Sequence, residues 1–164
     1  MRRIIVCFLL LCSFAFGVRI GGFELSPEFG FGAQNTKSNG ESHSDLSAYG
    51  RVWVGVNDFV FAPQVRYNQV SVYQDKLTNW QYGALFGYNF DLFVLYATPF
   101  VGLNYSTYDK FYDNKLAYSA GLRVSPNFIP VSASIEYEYL RPTNKFIGRE
   151  KKMDALRFSV GVSF

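Results

Sequence analysis

From Phe23 to Phe164 the chain returns repeatedly to one pattern, an apolar side chain at every second position. Side chains of a strand alternate between its two faces, so each such run has one oily face and one polar face. The run Leu156 to Phe164 (LRFSVGVSF) places Leu156, Phe158, Val160, Val162 and Phe164 on one side and Arg157, Ser159, Gly161 and Ser163 on the other. After Gly17 no stretch carries apolar residues at helical spacing over three turns. The chain is therefore all-β.

About eight such runs follow one another. Phe23, Leu25, Phe29 and Phe31 lead the first, and Ala48 to Val56 form the second. Runs through Phe61 to Tyr67, Trp80 to Phe90, Leu95 to Tyr105, Leu116 to Val124 and Val131 to Tyr139 precede the last. Their connections alternate between long, polar segments (about 34–47, 73–79, 106–115 and 141–153) and short turns at Asn57-Asp58, Asp91 and Pro126–Pro130. An even number of strands with alternating connection lengths predicts a closed antiparallel up-and-down barrel. Pro27, Pro63 and Pro99 fall inside strands that have no free edge to hide a missing N–H, which predicts a bulge or a strand end at each.

Alternation does not say which face points inward, but the charges do. All seven lysines (37, 76, 110, 115, 145, 151 and 152) lie in the long connections, and the aspartates lie in connections or at strand margins. Strand interiors carry only Arg and Glu, on the face otherwise made of Gly, Ser, Asn and Gln. A confined lumen favours that set, because small residues leave room and guanidinium pairs with carboxylate when desolvated. The opposite face, uncharged and rich in Phe, Tyr, Val and Leu, suits hydrocarbon. Trp80, Tyr88, Tyr105, Tyr118 and Tyr139 near strand ends suit the aromatic girdles of a membrane barrel.

Residues 1–17 (MRRIIVCFLLLCSFAFG) have two arginines, an apolar run too short to span a bilayer, and small residues at Ala15 and Gly17. This is the layout of a secretory signal peptide cleaved after Gly17, which leaves 18–164 as the barrel. Cys7 and Cys12 leave with it, so the mature chain has no thiol for a disulfide or a cysteine metal site. Sixteen basic residues less Arg2 and Arg3 stand against thirteen acidic ones, a balance that argues against nucleic-acid binding.

The C-terminal strand ending in Phe resembles the sorting signal of Gram-negative outer-membrane barrels. Thr98 to Tyr105 (TPFVGLNY) and Ser134 to Tyr139 (SIEYEY) resemble the small eight-stranded barrels of the OmpA/OmpX/opacity class. The resemblance implies an outer-membrane location and recognition of Phe158, Val160, Val162 and Phe164 by the barrel-assembly machinery. It specifies function poorly, since the class includes structural proteins, adhesins and enzymes. A monomer is expected.

Eight charges face the lumen, four of each sign: Glu24, Glu28, Arg51, Arg66, Arg123, Glu136, Glu138 and Arg157. By strand order, Arg51 and Arg157 flank the glutamates of the first strand, and Arg123 and Arg157 flank those of the seventh. An eight-stranded barrel is only wide enough for its own side chains, so this network is expected to plug it. The alternative is a narrow, ion-selecting pore.

Chemistry has little to start from. Two outer-membrane enzymes, a lipid A deacylase and a lipid A palmitoyltransferase, match this size, and both depend on His and Ser. The one histidine, His43, lies between Ser42 and Ser44 in what reads as a solvated loop, and sequence adjacency does not build a triad. No cofactor or metal site is expected. The loops carry the remaining candidates for surface contact. Tyr108, Phe111 and Tyr112 suggest a protruding aromatic surface in the third long loop. Lys145, Arg149, Lys151 and Lys152 make the fourth basic, suited to lipopolysaccharide phosphates at the outer-membrane lipid surface or to a host or surface ligand that the sequence does not name.

Overall fold

The computed structural model describes residues 18–20, 22–38, 41–72, 75–108, 112–145, 148, 150 and 152–164. The signal-peptide segment lies outside the described residues. Ten strands occur among the described residues, β1 (Val18–Ile20), β2 (Phe23–Ser38), β3 (Glu41–Val56), β4 (Phe59–Val72), β5 (Asp75–Tyr88), β6 (Phe90–Asp91), β7 (Leu95–Tyr108), β8 (Lys115–Pro126), β9 (Val131–Leu140) and β10 (Met153–Ser163). The eight long ones pair antiparallel in the cyclic order β2-β10-β9-β8-β7-β5-β4-β3, and β3 pairs again with β2. The sheet closes on itself, as an eight-run alternating chain requires.

Its faces are inverted relative to a soluble barrel. Phe31 is 74% exposed on the outer wall, and Glu28 and Arg157 are 0% exposed inside. Only a solvent of hydrocarbon makes that arrangement favourable, because there the backbone must be fully paired within the protein. The chain is a transmembrane barrel.

Turn chemistry sets one rim. Val56 pairs with Phe59 across Asn57 and Asp58, whose φ values of 49° and 71° make a tight hairpin turn of the kind that suits strand twist. Asp91 Oδ1 accepts a hydrogen bond from Phe93 N at 2.9 Å in the next short connection.

At the other rim the structure corrects the sequence reading. The segment 34–47 is a continuation of the β2–β3 hairpin, paired without interruption to Ser38↔Glu41, and β5 begins at Asp75. Gln34, Thr36, Asp45 and Ser47 still alternate inward, but beyond the Ala33↔Leu46 pair the outward residues Asn35, Lys37, Ser42 and Ser44 are also polar. Apolar–polar contrast exists only where the outer face meets lipid, so a hairpin rising beyond the bilayer looks like a loop.

No bulge forms at the prolines: each stays in a regular ladder on one side, Pro27↔Val52, Pro63↔Ala84 and Pro99↔Leu122, and lies in a gap of the ladder on the other. Pro27 lies one step beyond the last β2–β10 pair, Glu28↔Ser163, and its carbonyl accepts from Phe164 N at 2.9 Å. Pairs at Pro63 are missing between β3 and β4 but present to β5. Pro99 lies in the gap where β5 hands over to β6. A missing donor is tolerated where the neighbouring strand ends or pulls away.

Candidate functional site

The ionic layer inside the barrel is built from two groups. Glu28 on β2 faces Arg51, its register partner on β3. One carboxylate oxygen, Oε1, accepts from Arg51 Nη2 at 2.5 Å, Arg51 Nε at 3.1 Å and the Tyr49 hydroxyl at 2.8 Å. The other, Oε2, accepts from Arg123 Nε at 2.6 Å and Trp53 Nε1 at 3.0 Å. The Arg51 guanidinium also lies 4.5 Å from the Tyr49 ring centroid and 5.0 Å from that of Trp53, and Arg123 lies 5.3 Å from Trp53. A buried carboxylate needs such donors, and it has five.

The second group spans the barrel's diameter. Arg66 on β4 forks across to Glu136 on the opposite strand β9, Nη1 to Oε1 at 3.0 Å and Nη2 to Oε2 at 2.5 Å. Arg157 on β10 approaches Glu136 at 3.4 Å and Glu138 at 3.7 Å, and donates to Gln34 Oε1 from Nη2 at 2.5 Å. Gln81 Nε2 donates to Glu138 at 2.8 Å. Glu24 lies about 13 Å along β2 from Glu28, at ~3.3 Å per residue, toward the short turns. There it accepts from Asn89 Nδ2 at 2.6 Å.

Strand neighbours thus explain part of the pairing. Glu28 meets Arg51 and Glu136 meets Arg157 by register, but Arg123 reaches Glu28 and not the glutamates of β9. Arg66–Glu136 and Arg123–Glu28 join strands that are not adjacent, and only closure of the barrel brings them together.

Apolar layers enclose the ions. Trp53, Val60, Ala62, Leu85 and Phe100 cluster toward the short turns, and Leu77, Tyr108, Tyr112, Ala117, Leu140 and Met153 toward the long connections. Tyr108 and Tyr112 are therefore not a protruding surface. Tyr108 continues the inward parity of Asn104 and Ser106, and its ring meets that of Tyr112 at 5.6 Å inside the long-connection end of the lumen. The loops above are tied together by bridges Tyr112↔Asn144 and Thr143↔Glu150. His43 is likewise not a loop residue. It lies on β3 opposite Thr36 and is half-buried.

Lys145 and Lys152 are exposed, and Lys152 Nζ pairs with Asp154 at 3.2 Å. Phe111, Arg149 and Lys151 lie outside the described residues. Phe158, Val160, Val162 and Phe164 all stand on the outer face of β10's end. The sequence reading missed Tyr49, Trp53, Gln34, Gln64 and Gln81 as network members. The signal was available, since each shares the parity of the inward charge on its own strand or on that strand's register partner.

Tyr49 fits because two glycines make room. A Cβ on Gly30 would lie 2.5 Å from the Tyr49 ring, and one on Gly161 would lie 2.6 Å from its hydroxyl. Gly30 and Gly161 are cross-strand partners, so the ring lies over a bare patch of wall.

This closed, inverted eight-stranded sheet with a charged lumen is a small outer-membrane β-barrel. It resembles Neisserial surface protein A, with a TM-score of 0.62 and 19% identity over 88% of this chain and 98% of that one. It also resembles Ail, the attachment invasion locus protein of Yersinia pestis, with a TM-score of 0.50 and 16% identity over 88% of this chain and 100% of that one. No family model and no curated protein matches the sequence.

Proposed function

We propose that the protein is a non-enzymatic outer-membrane barrel whose role is exercised at its exposed rim, as a structural or surface-interacting, adhesin-like protein. The observation that carries this reading is the lumen: four arginines are paired with glutamate side chains between two apolar layers. A lumen so occupied is a plug, and its charged groups are engaged with one another and not poised toward a substrate. The likeness to a surface protein and to an attachment protein agrees with this, as an analogy of fold.

The long-connection rim, with Lys145 and Lys152 exposed, then faces outward, and the short turns face the periplasm. Lipopolysaccharide phosphates are its first partners there, and the protein acts as a monomer. The purified barrel in planar bilayers should show no resolved conductance steps, and an epitope inserted at Asn144 should be reachable on intact cells while one at Asp91 is not. Regular channel openings would refute the plug, and the reverse accessibility would refute the orientation.

A further inference from the structure

The outer wall of a small barrel is convex, yet this one is hollowed on one side. An open groove of about 650 Å³ lies across β2, β10 and β9, with Leu46 of β3 and Leu122 and Val124 of β8 at its two sides, lined almost wholly by carbon. Two adjacent cross-strand rows shape it. Leu46, Ala33, Phe158, Ile135 and Leu122 form one row by register, and Phe31, Val160, Ala133 and Val124 form the next. Ala33 and Ala133 are the small positions among large neighbours, and the hollow follows from them.

On the same wall, farther toward the long connections, stand three cations. Lys37 is exposed at the end of β2, Arg141 follows β9, and Lys152 precedes β10. Arg141 and Lys152 flank the Tyr139 ring at 5.2 and 6.0 Å from its centroid. Asp154, the register partner of Lys37, pairs with Lys152, so the cluster keeps a net positive charge. At ~3.3 Å per residue, Lys37 lies about 13 Å from Ala33, and Arg141 and Lys152 lie about 20 Å from Ile135 and Phe158. One leaflet of hydrocarbon is about 15 Å deep, half of a ~30 Å core.

The geometry points to a built binding site for a phosphorylated acyl lipid of the leaflet at the long-connection rim, with one acyl chain in the hollow and its phosphate on Lys37, Arg141 and Lys152. Charge complementarity chooses this occupant over a second barrel, which would set the same cations against each other. The inference rests on the rim reading above and gives that rim a stoichiometric ligand.

Native mass spectrometry of the refolded barrel in detergent tests it, with bisphosphorylated lipid A, its dephosphorylated form and phosphatidylethanolamine as probes. Because this assay needs no orientation in a cell, its failure is separate from failure of the epitope test. One bisphosphorylated lipid per barrel is expected, with the dephosphorylated form bound roughly a hundredfold more weakly, at about 1 kcal/mol per cation for three cations. Ala133→Phe and, independently, Ala33→Phe should each displace the lipid while keeping the heat-modifiable mobility of a folded barrel. The triple change K37A/R141A/K152A should remove the preference for phosphate. Equal binding of the phosphorylated and dephosphorylated forms would overturn the site, as would retention of lipid by both filled-groove variants.

Discussion

Removing the carboxylate of Glu28 is the sharpest test of how the lumen is held together. Glu28 accepts five hydrogen bonds and is the ion-pair partner of both Arg51 and Arg123, and all three side chains are buried. Each ion pair is worth about 4 kcal/mol gross at an effective dielectric of ~20 and ~4 Å between charge centres, and burying the carboxylate offsets several kcal/mol of the sum. Glu28→Ala leaves two guanidinium groups without their counterion, which costs about 3–5 kcal/mol. At a urea slope near 2 kcal/mol per M, the unfolding midpoint should fall by about 2 M. Glu28→Gln should recover little, since an amide presents its own N–H groups where five donors converge. The triple change E28L/R51M/R123M should lie within about 1.5 kcal/mol of the parent, because a buried ion cluster replaced whole by apolar side chains strands no charge. Heat-modifiable mobility across a urea series, read at equilibrium in detergent, measures all three. A loss below 1 kcal/mol for Glu28→Ala, or a triple variant as weak as the single one, would refute the argument.

Other consequences follow from the same geometry. Gly161→Val should lose about 1–3 kcal/mol by overpacking against the Tyr49 hydroxyl, and Tyr49→Ala in the same chain should restore part of it, measured as urea midpoints. Phe164→Ala should be poorly inserted in cells yet fold nearly as well as the parent in detergent, because one partly exposed aromatic contributes at most ~1.5–3 kcal/mol. Equal loss in both settings would count against an assembly signal at the C-terminal strand. N-terminal sequencing of protein recovered from the membrane should begin at Val18, and any chain retaining Arg2 and Arg3 would contradict cleavage after Gly17.

Period-two alternation was enough to fix the parity of every barrel strand, and parity is local physics. Adjacent Cβ atoms point oppositely whatever the rest of the chain does. The inverted orientation was also legible, because the described lysines stand toward the rims and Arg and Glu carry the charges of the strand middles, although Asp45, buried on β3, joins them on the inner face. One-sided ladder gaps at Pro27, Pro63 and Pro99 agree with a missing N–H, but the bulges expected there do not form, because the other side of each strand stays regularly paired. The hairpin through 34–47 was not, because beyond the Ala33↔Leu46 pair its two faces are equally polar. Nor were the burial of Tyr108 and Tyr112 and the pairing of Arg66 with Glu136 and of Arg123 with Glu28. Those depend on the diameter of the closed barrel, on which strand ends opposite which, and on the room that Gly30 and Gly161 leave for Tyr49. Contacts across a lumen are set by closure and shear, which no stretch of sequence carries alone.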